Sequence, residues 1–276
     1  GHYPLEKLMP LDIQRLYTEL QRAGSNHHTK GQPLSAKSIK NIHSVLRKAL
    51  AQVVRWRLLV QNPAEAVSLP RCTRPTTTAL NPTELQRLML AITPAESPWR
   101  IPLLIAIGTG MRRGEIRALQ WQDFDPEQRL LVVRRALSPV TNSQIVVKGT
   151  KTGKIRVVAL NDSLVQALNQ HRDTTKFNTP RDWICCRENG DYHRPVSFSR
   201  DFTQLMGTLK LKITLHGLRH THATALLAAG IPVKVISERL GHASVIITQD
   251  IYAHVLPTMQ REAADVMENI WMGGRN

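Results

Sequence analysis

Residues 109–115 read Thr-Gly-Met-Arg-Arg-Gly-Glu, and residues 216–221 read His-Gly-Leu-Arg-His-Thr. Two shorter pieces belong with them, Leu240-Gly241-His242 and Tyr252-Ala253-His254. Arg112 follows a glycine turn and opens a helix, where a guanidinium beside free backbone N–H groups suits a phosphate. The same arginine can instead neutralise Glu115, its neighbour three residues on. His216 and Arg219 share one face of a helix whose Ala223, Leu226 and Leu227 are apolar. Two unpaired like charges there would repel, and an anion between them resolves the conflict. His216 and His220 have the i, i+4 spacing of metal ligands, yet no Glu follows His216, so the HExxH pattern is missing and no metal site is expected. His220 and His222 read as structural histidines. Gly241 ends a helix that His242 can cap. Tyr252 follows Ser244 by eight residues with Thr248 between, one helical face, where a tyrosine is ordinarily core or interface.

Outward from these pieces the chain divides. From about Leu11 to Val67 it reads as helical. Asp12 is placed to cap a helix with Ile13, Leu16, Tyr17 and Leu20 at helical spacing. Ser35 caps a longer one reaching about Leu59, with Ile39, Ile42, Leu46, Ala49, Leu50 and Val53 on its apolar face. Lys37, Asn41, Ser44, Lys48 and Arg55 fall opposite. That polar face reads either as ordinary solvation or as a DNA-contacting surface. Over residues 1–75, 12 Lys and Arg against 4 Asp and Glu favour DNA. Residues 70–78 hold two prolines and no periodicity, which predicts a linker. Asn81-Pro82-Thr83-Glu84 then restarts a helix with a capping box. Beyond it, helical runs at about 98–108 and 114–119 lead to short strands at 130–134, 144–148 and 155–160. Helices resume at 163–172, 197–209, 216–229, 233–240 and from Ser244. A final one after Pro257 presents Ala263, Val266, Met267, Ile270 and Trp271.

Composition sets the bounds. At 276 residues, 42% hydrophobic and 21% charged, the chain can bury a core and is not disordered throughout. No apolar stretch approaches the roughly 20 residues that span a bilayer. Cys72, Cys185 and Cys186 have no CxxC spacing, which excludes a disulfide scaffold and a cysteine zinc cluster and suits a reducing cytoplasm. The start, Gly1-His2-Tyr3, has neither initiator Met nor signal segment and reads as an expressed fragment with a tag scar. A formal charge of +16 points to a polyanion, with nucleic acid ahead of any membrane surface.

Taken together, two arginines, two histidines, a turn lysine and a downstream tyrosine match the needs of phosphodiester transfer without a metal. Two guanidinium forks can hold the negative oxygens of a pentacoordinate transition state. A tyrosine hydroxyl can attack phosphorus and keep the bond energy in a covalent intermediate. A lysine can protonate the leaving oxygen. At this point the sequence resembles the tyrosine recombinases of the phage-integrase family, through TGMRRGEIRALQW, KTGKIRVVAL, HGLRHTHAT, LGHAS and ITQDIYAH. The resemblance is strong from about residue 80 onward and looser over about 9–67.

The resemblance implies a mainly α protein with a small antiparallel β-sheet (α+β). It would be a two-domain DNA clamp: a helical core-binding domain (1–69), a linker (70–79) and an integrase-type catalytic domain (80–276). By position, Arg112 and Arg219 match the catalytic arginines, and Arg113 is a non-catalytic neighbour. Lys151 matches the general acid, with Lys148 and Lys154 close by. His216 belongs to the His-x-x-Arg motif, His242 follows Leu-Gly, and Tyr252 matches the nucleophile. Gly217 departs from the Asp frequent in relatives, which affects local hydrogen bonding. The implied reaction is metal- and cofactor-free recombination through a 3′-phosphotyrosyl link. It integrates or excises a mobile element or prophage in the cytoplasm, on nucleoid DNA. The implied partners are double-stranded attachment sites, a homotetramer whose C-terminal helix contacts a neighbouring protomer, and accessory bending or directionality factors. A type IB topoisomerase shares the chemistry but relaxes supercoils as a monomer, and a DNA-binding regulator would bind without an adduct. A metal-dependent nuclease lacks its carboxylate cluster.

Overall fold

The structure is a computed structural model that describes residues 3–22, 32–72, 79–94, 97–139, 145–149, 155–193, 195–242, 244–245 and 267–268. It falls into two compact units, residues 1–76 and 77–276.

In the first unit, helices α1 (Pro10–Arg22) and α2 (Ala36–Arg55) pack with a 3-10 turn at Pro63–Ala66. Their core is Ile13, Tyr17, Ile39, Leu50 and Ala64. Ser35 caps α2 by accepting from Ser38 N–H at 3.1 Å, as the sequence predicts. Asp12 does not precede its helix. α1 starts two residues earlier with Pro10 in its first turn, and the Asp12 carboxylate reaches back to Met9 N–H at 3.0 Å. α2 also stops short of Leu59, because Arg57 turns left-handed (φ 60°) and Leu58 N–H bonds Val53 C=O at 3.2 Å. Its buried stripe runs through Ile39, His43 and Leu50, which leaves Ile42 and Ala49 exposed rather than in the core. His43 is satisfied there by Tyr17 OH, 3.3 Å from Nδ1.

The second unit opens with α3 (Pro82–Ile92), whose Asn81–Glu84 capping box forms as expected. α4 (Arg100–Thr109) and the single-turn α5 (Arg113–Ile116) follow. Strands β1 (Phe124–Asp125), β2 (Leu130–Val133), β3 (Arg135–Pro139), β4 (Ile145–Gly149) and β5 (Arg156–Ala159) come next. They form two antiparallel sheets, β1-β2-β5 and β3-β4, in place of one. The chain turns at Arg134, so β2 pairs with β5 (Leu131 opposite Val158, Val133 opposite Arg156) while β3 takes β4. Helices α6 (Asp162–Thr174), α7 (Pro195–Thr208), α8 (Leu215–Ala228) and α9 (Val233–Leu240) complete it. The main core gathers Leu88, Leu103, Ile105, Trp121, Leu131, Leu168 and Leu218, with α8 against α4. A smaller cluster, Ala223, Leu227, Ile236 and Leu240, ties α8 to α9. Fully burying such side chains stabilises by about 1.5–3 kcal/mol each, and this is what fixes the ends of α4, α8 and α9 relative to one another. Among the described residues no helix is long and apolar enough to cross a membrane.

Candidate active site

The site is assembled where α4 ends. Gly110 terminates it in the left-handed conformation (φ 64°), and a Cβ there would lie 2.6 Å from Leu240 Cδ2 and 2.7 Å from His222 Cδ2. Only glycine allows that approach. The carbonyls left over at the helix end are taken by side chains from α8 and α9. His222 Nδ1 lies 2.7 Å from Ile107 O, Arg239 Nη2 donates to Gly108 O at 2.8 Å, and Arg219 Nη1 donates to Gly110 O at 2.8 Å. Arg239 Nε also donates to His222 Nε2 at 3.2 Å, so His222 carries its proton on Nδ1. His222 is thus structural, as the sequence predicts.

Arg112 precedes α5 and is partly buried. Its Nη1 donates to Glu115 Oε1 at 3.0 Å, and its Nη2 to Gly241 O at 2.8 Å. The pairing with Glu115 weighed from spacing therefore forms, and it leaves the guanidinium edge on a cavity. Glu115 is buried and also receives Arg156, at 3.0 Å and 2.6 Å. Burial alone would raise its pKa, but the hydrogen bond and charge of Arg156, then those of Arg112, outweigh burial and hold it low. Arg156 in turn donates from Nε to Arg239 O at 3.1 Å. At Gly241 (φ 67°) a Cβ would meet Arg156 Nη1 at 2.8 Å, so this glycine too is required.

Arg112, His216 and Arg219 line one cavity of about 520 Å³, together with Arg113, Ser199 and Phe202. Thr214 caps α8 by accepting from Gly217 N–H at 3.0 Å, which fixes the turn bearing His216. The His216 and His220 rings meet edge to face with centroids 4.7 Å apart. Partial burial, then Arg219 and Arg112, lower the His216 pKa. Burial, then His216 and Arg219, take His220 to about 4. His242 also falls to about 4, through burial and then the charges of Arg219 and Arg112. These imidazoles are neutral at pH 7 while no anion offsets the two arginines.

Lys151 and Tyr252 lie outside the described residues, as does Lys154, and only the backbone of Lys148 on β4 is described. Lys37, Asn41, Ser44, Lys48 and Arg55 are all exposed on α2, in the first unit. The sequence reading missed Arg156. Its signal was strand alternation, since a two-residue period puts Arg156 on the buried face with Val158. Among the described residues no three His, Cys, Asp or Glu side chains are grouped to hold a metal ion.

The fold and this cluster define a class. The model of the phage integrase family matches residues 78–259, and the chain belongs to that family. It is a tyrosine-type site-specific recombinase. It is 28% identical to the ICEBs1 integrase of Bacillus subtilis (strain 168), over 94% of this chain and 72% of that protein. It is 26% identical to a tyrosine recombinase XerC-like protein of Caldanaerobacter subterraneus, over 95% and 71%. Among solved structures, the Tn1549 transposon integrase in complex with a circular intermediate DNA shares the fold. Its TM-score is 0.80 at 22% identity, over 95% of this chain and 88% of that one.

Proposed function

We propose that this recombinase cuts and rejoins DNA by attack of Tyr252 on the scissile phosphate, giving a 3′-phosphotyrosyl link and a free 5′-hydroxyl. The observation that carries this reading is the convergence of Arg112, His216 and Arg219 on one cavity while the nearby carboxylate, Glu115, is turned inward and neutralised. Such a cavity accepts an anion. Arg112 and Arg219 hold the non-bridging oxygens, and because both are already fixed by backbone carbonyls they need no reorganisation as charge builds on phosphorus. His242 donates to the same phosphate, His216 handles the tyrosine proton, and Lys151 protonates the 5′ oxygen. Attack by the 5′-hydroxyl of a partner duplex reverses the step and exchanges strands.

Residues 1–69 serve as the core-binding domain, 70–79 as the linker and 80–276 as the catalytic domain. Lys37, Asn41, Ser44, Lys48 and Arg55 contact the DNA. The working assembly is a homotetramer on two paired attachment sites, with the segment after Pro257 docked on a neighbouring protomer. Accessory bending or directionality factors complete it. The Tn1549 integrase, solved on a circular intermediate DNA, and the ICEBs1 integrase support a mobile element as the substrate.

The test is a nicked attachment-site duplex incubated with the protein in EDTA and resolved on denaturing gels, beside Tyr252→Phe. A covalent adduct with the wild type alone is expected. Binding of this DNA without any adduct would make the chain a DNA-binding regulator and sink the proposal.

A further inference from the structure

The cavity around Arg112 and Arg219 exceeds what one phosphate requires. At roughly 30 Å³ per water-sized volume, its 520 Å³ leaves room for a neighbouring backbone unit. Arg113 lines the same cavity, is exposed, and donates from Nη1 to Ser199 Oγ on α7. No carboxylate among the described residues pairs with it, whereas Arg112, Arg135 and Arg156 each pair with a buried one. Its root is also fixed. Arg117, one helical turn on, is fully buried with its guanidinium 5.8 Å from the centre of the Phe198 ring, next to Ser199. Met111 and Phe202, both buried, give the cavity an apolar floor suited to sugar carbons.

We infer that Arg113, steered by Ser199, is a second clamp that binds the backbone phosphate adjacent to the scissile one and sets the strand's register. Successive phosphates of one strand rise only about 3.4 Å along the duplex axis, so a strand whose scissile phosphate sits between Arg112 and Arg219 carries a neighbouring phosphate past the same cavity, which Arg113 and Ser199 also line. Arg113 is a binding and positioning residue, and this inference rests on the reading of the cavity as the scissile-phosphate site.

The experiment uses nicked duplexes spanning the cleavage site mapped with the wild-type protein. Each carries one uncharged methylphosphonate, at the scissile position or at either adjacent one. With the wild type, neutralising one adjacent phosphate is expected to cost about tenfold in affinity. Arg113→Ala loses about the same on unmodified DNA, loses little more on that methylphosphonate duplex, and lowers the salt slope of log K by about one. Adduct formation at saturating DNA changes less than affinity does. Arg113→Lys restores part of the salt slope, and Ser199→Ala weakens the coupling without abolishing it. If the two penalties multiply at both adjacent positions, or couple only at the scissile one, the clamp is wrong. Absence of any wild-type adduct on unmodified DNA overturns the recombinase chemistry instead, so the two failures are distinct.

Discussion

Helix α2 of the first unit and the arginine cluster of the second hold their positive charge in opposite ways. In α2, Lys37, Arg47, Lys48 and Arg55 stand in solvent, and the ion pair described there, Arg47–Glu65, has both side chains 57% exposed. In residues 77–276, Arg112, Arg156, Arg219 and Arg239 turn inward and spend hydrogen bonds on backbone carbonyls or on Glu115. Exposed charges on flexible stems supply affinity that salt screens away. Inward charges held by the ends of α4 and α9 supply geometry, which salt does not remove. The contrast predicts that substitutions of the inward arginines act on rate and stability, and those of exposed cations act on binding.

The largest effect is expected from Arg112→Lys or Arg219→Lys. A lysine keeps the charge but loses the fork that spans a carbonyl and a phosphate. Single-turnover cleavage of nicked DNA should slow by about 10²–10³ with little change in affinity. A drop in affinity with unchanged cleavage would erase the distinction between inward and exposed charges. Glu115→Gln comes next. It leaves two guanidinium groups around a neutral amide in a buried place, costing about 3 kcal/mol of stability. Urea unfolding should show a lower midpoint, and adduct formation should slow because Arg112 is no longer held.

Acid should weaken the second unit by a smaller step. His220, His222 and His242 sit at about 4 when folded, below the value near 6.5 of an unfolded histidine. Their contribution is complete above pH 6.5 and is lost as the pH falls toward 4. At pH 6 the loss is about 1 kcal/mol for one such ring, and the three do not add, because the charges of His216 and His220 are themselves among the causes that lower their neighbours. The low pKa of Glu115 adds a further loss at more acid pH, of the same sign. Amide exchange in α8, relative to its intrinsic rate at each pH, should quicken between pH 7 and 5. Bound DNA should slow it again, since a phosphate between Arg112 and Arg219 favours the charged imidazoles. A flat pH profile would mean these rings are not desolvated.

How far the sequence could be read follows from how local each cause is. The Ser35 cap and the Asn81–Glu84 box are contacts over three residues, and both were legible. The clustering of Arg112, His216 and Arg219 was legible as a pattern of short motifs, although their roles come from resemblance. What escaped depends on distant partners. Ile42 and Ala49 match the helical period yet face solvent, because α1 and the 3-10 turn cover only the stripe through Ile39, His43 and Leu50. The split into two sheets follows the turn at Arg134, and spacing alone does not announce it. Arg156 serves a carboxylate 41 residues away, a relation no local pattern encodes.

The smallest effect belongs to the first unit, and it tests the comparison from the other side. Lys48→Ala and Lys37→Ala remove exposed charges from α2 and leave its core, Ile39 and Leu50, untouched. If each lysine neutralises one phosphate, each substitution lowers the salt slope of log K by about 0.9 and costs a few tenths to about 1 kcal/mol in affinity at low salt. Cleavage at saturating DNA should stay at the wild-type rate, because Arg112 and Arg219 are held by groups of the second unit, Glu115, Gly241 and Gly110. Titrations from low to moderate salt, paired with single-turnover rates, separate the outcomes. An unchanged slope would mean that this face is merely solvated. A slowed cleavage step would mean that α2 also helps set the DNA at the cavity, and the division between affinity and geometry would no longer follow the exposure of the charge.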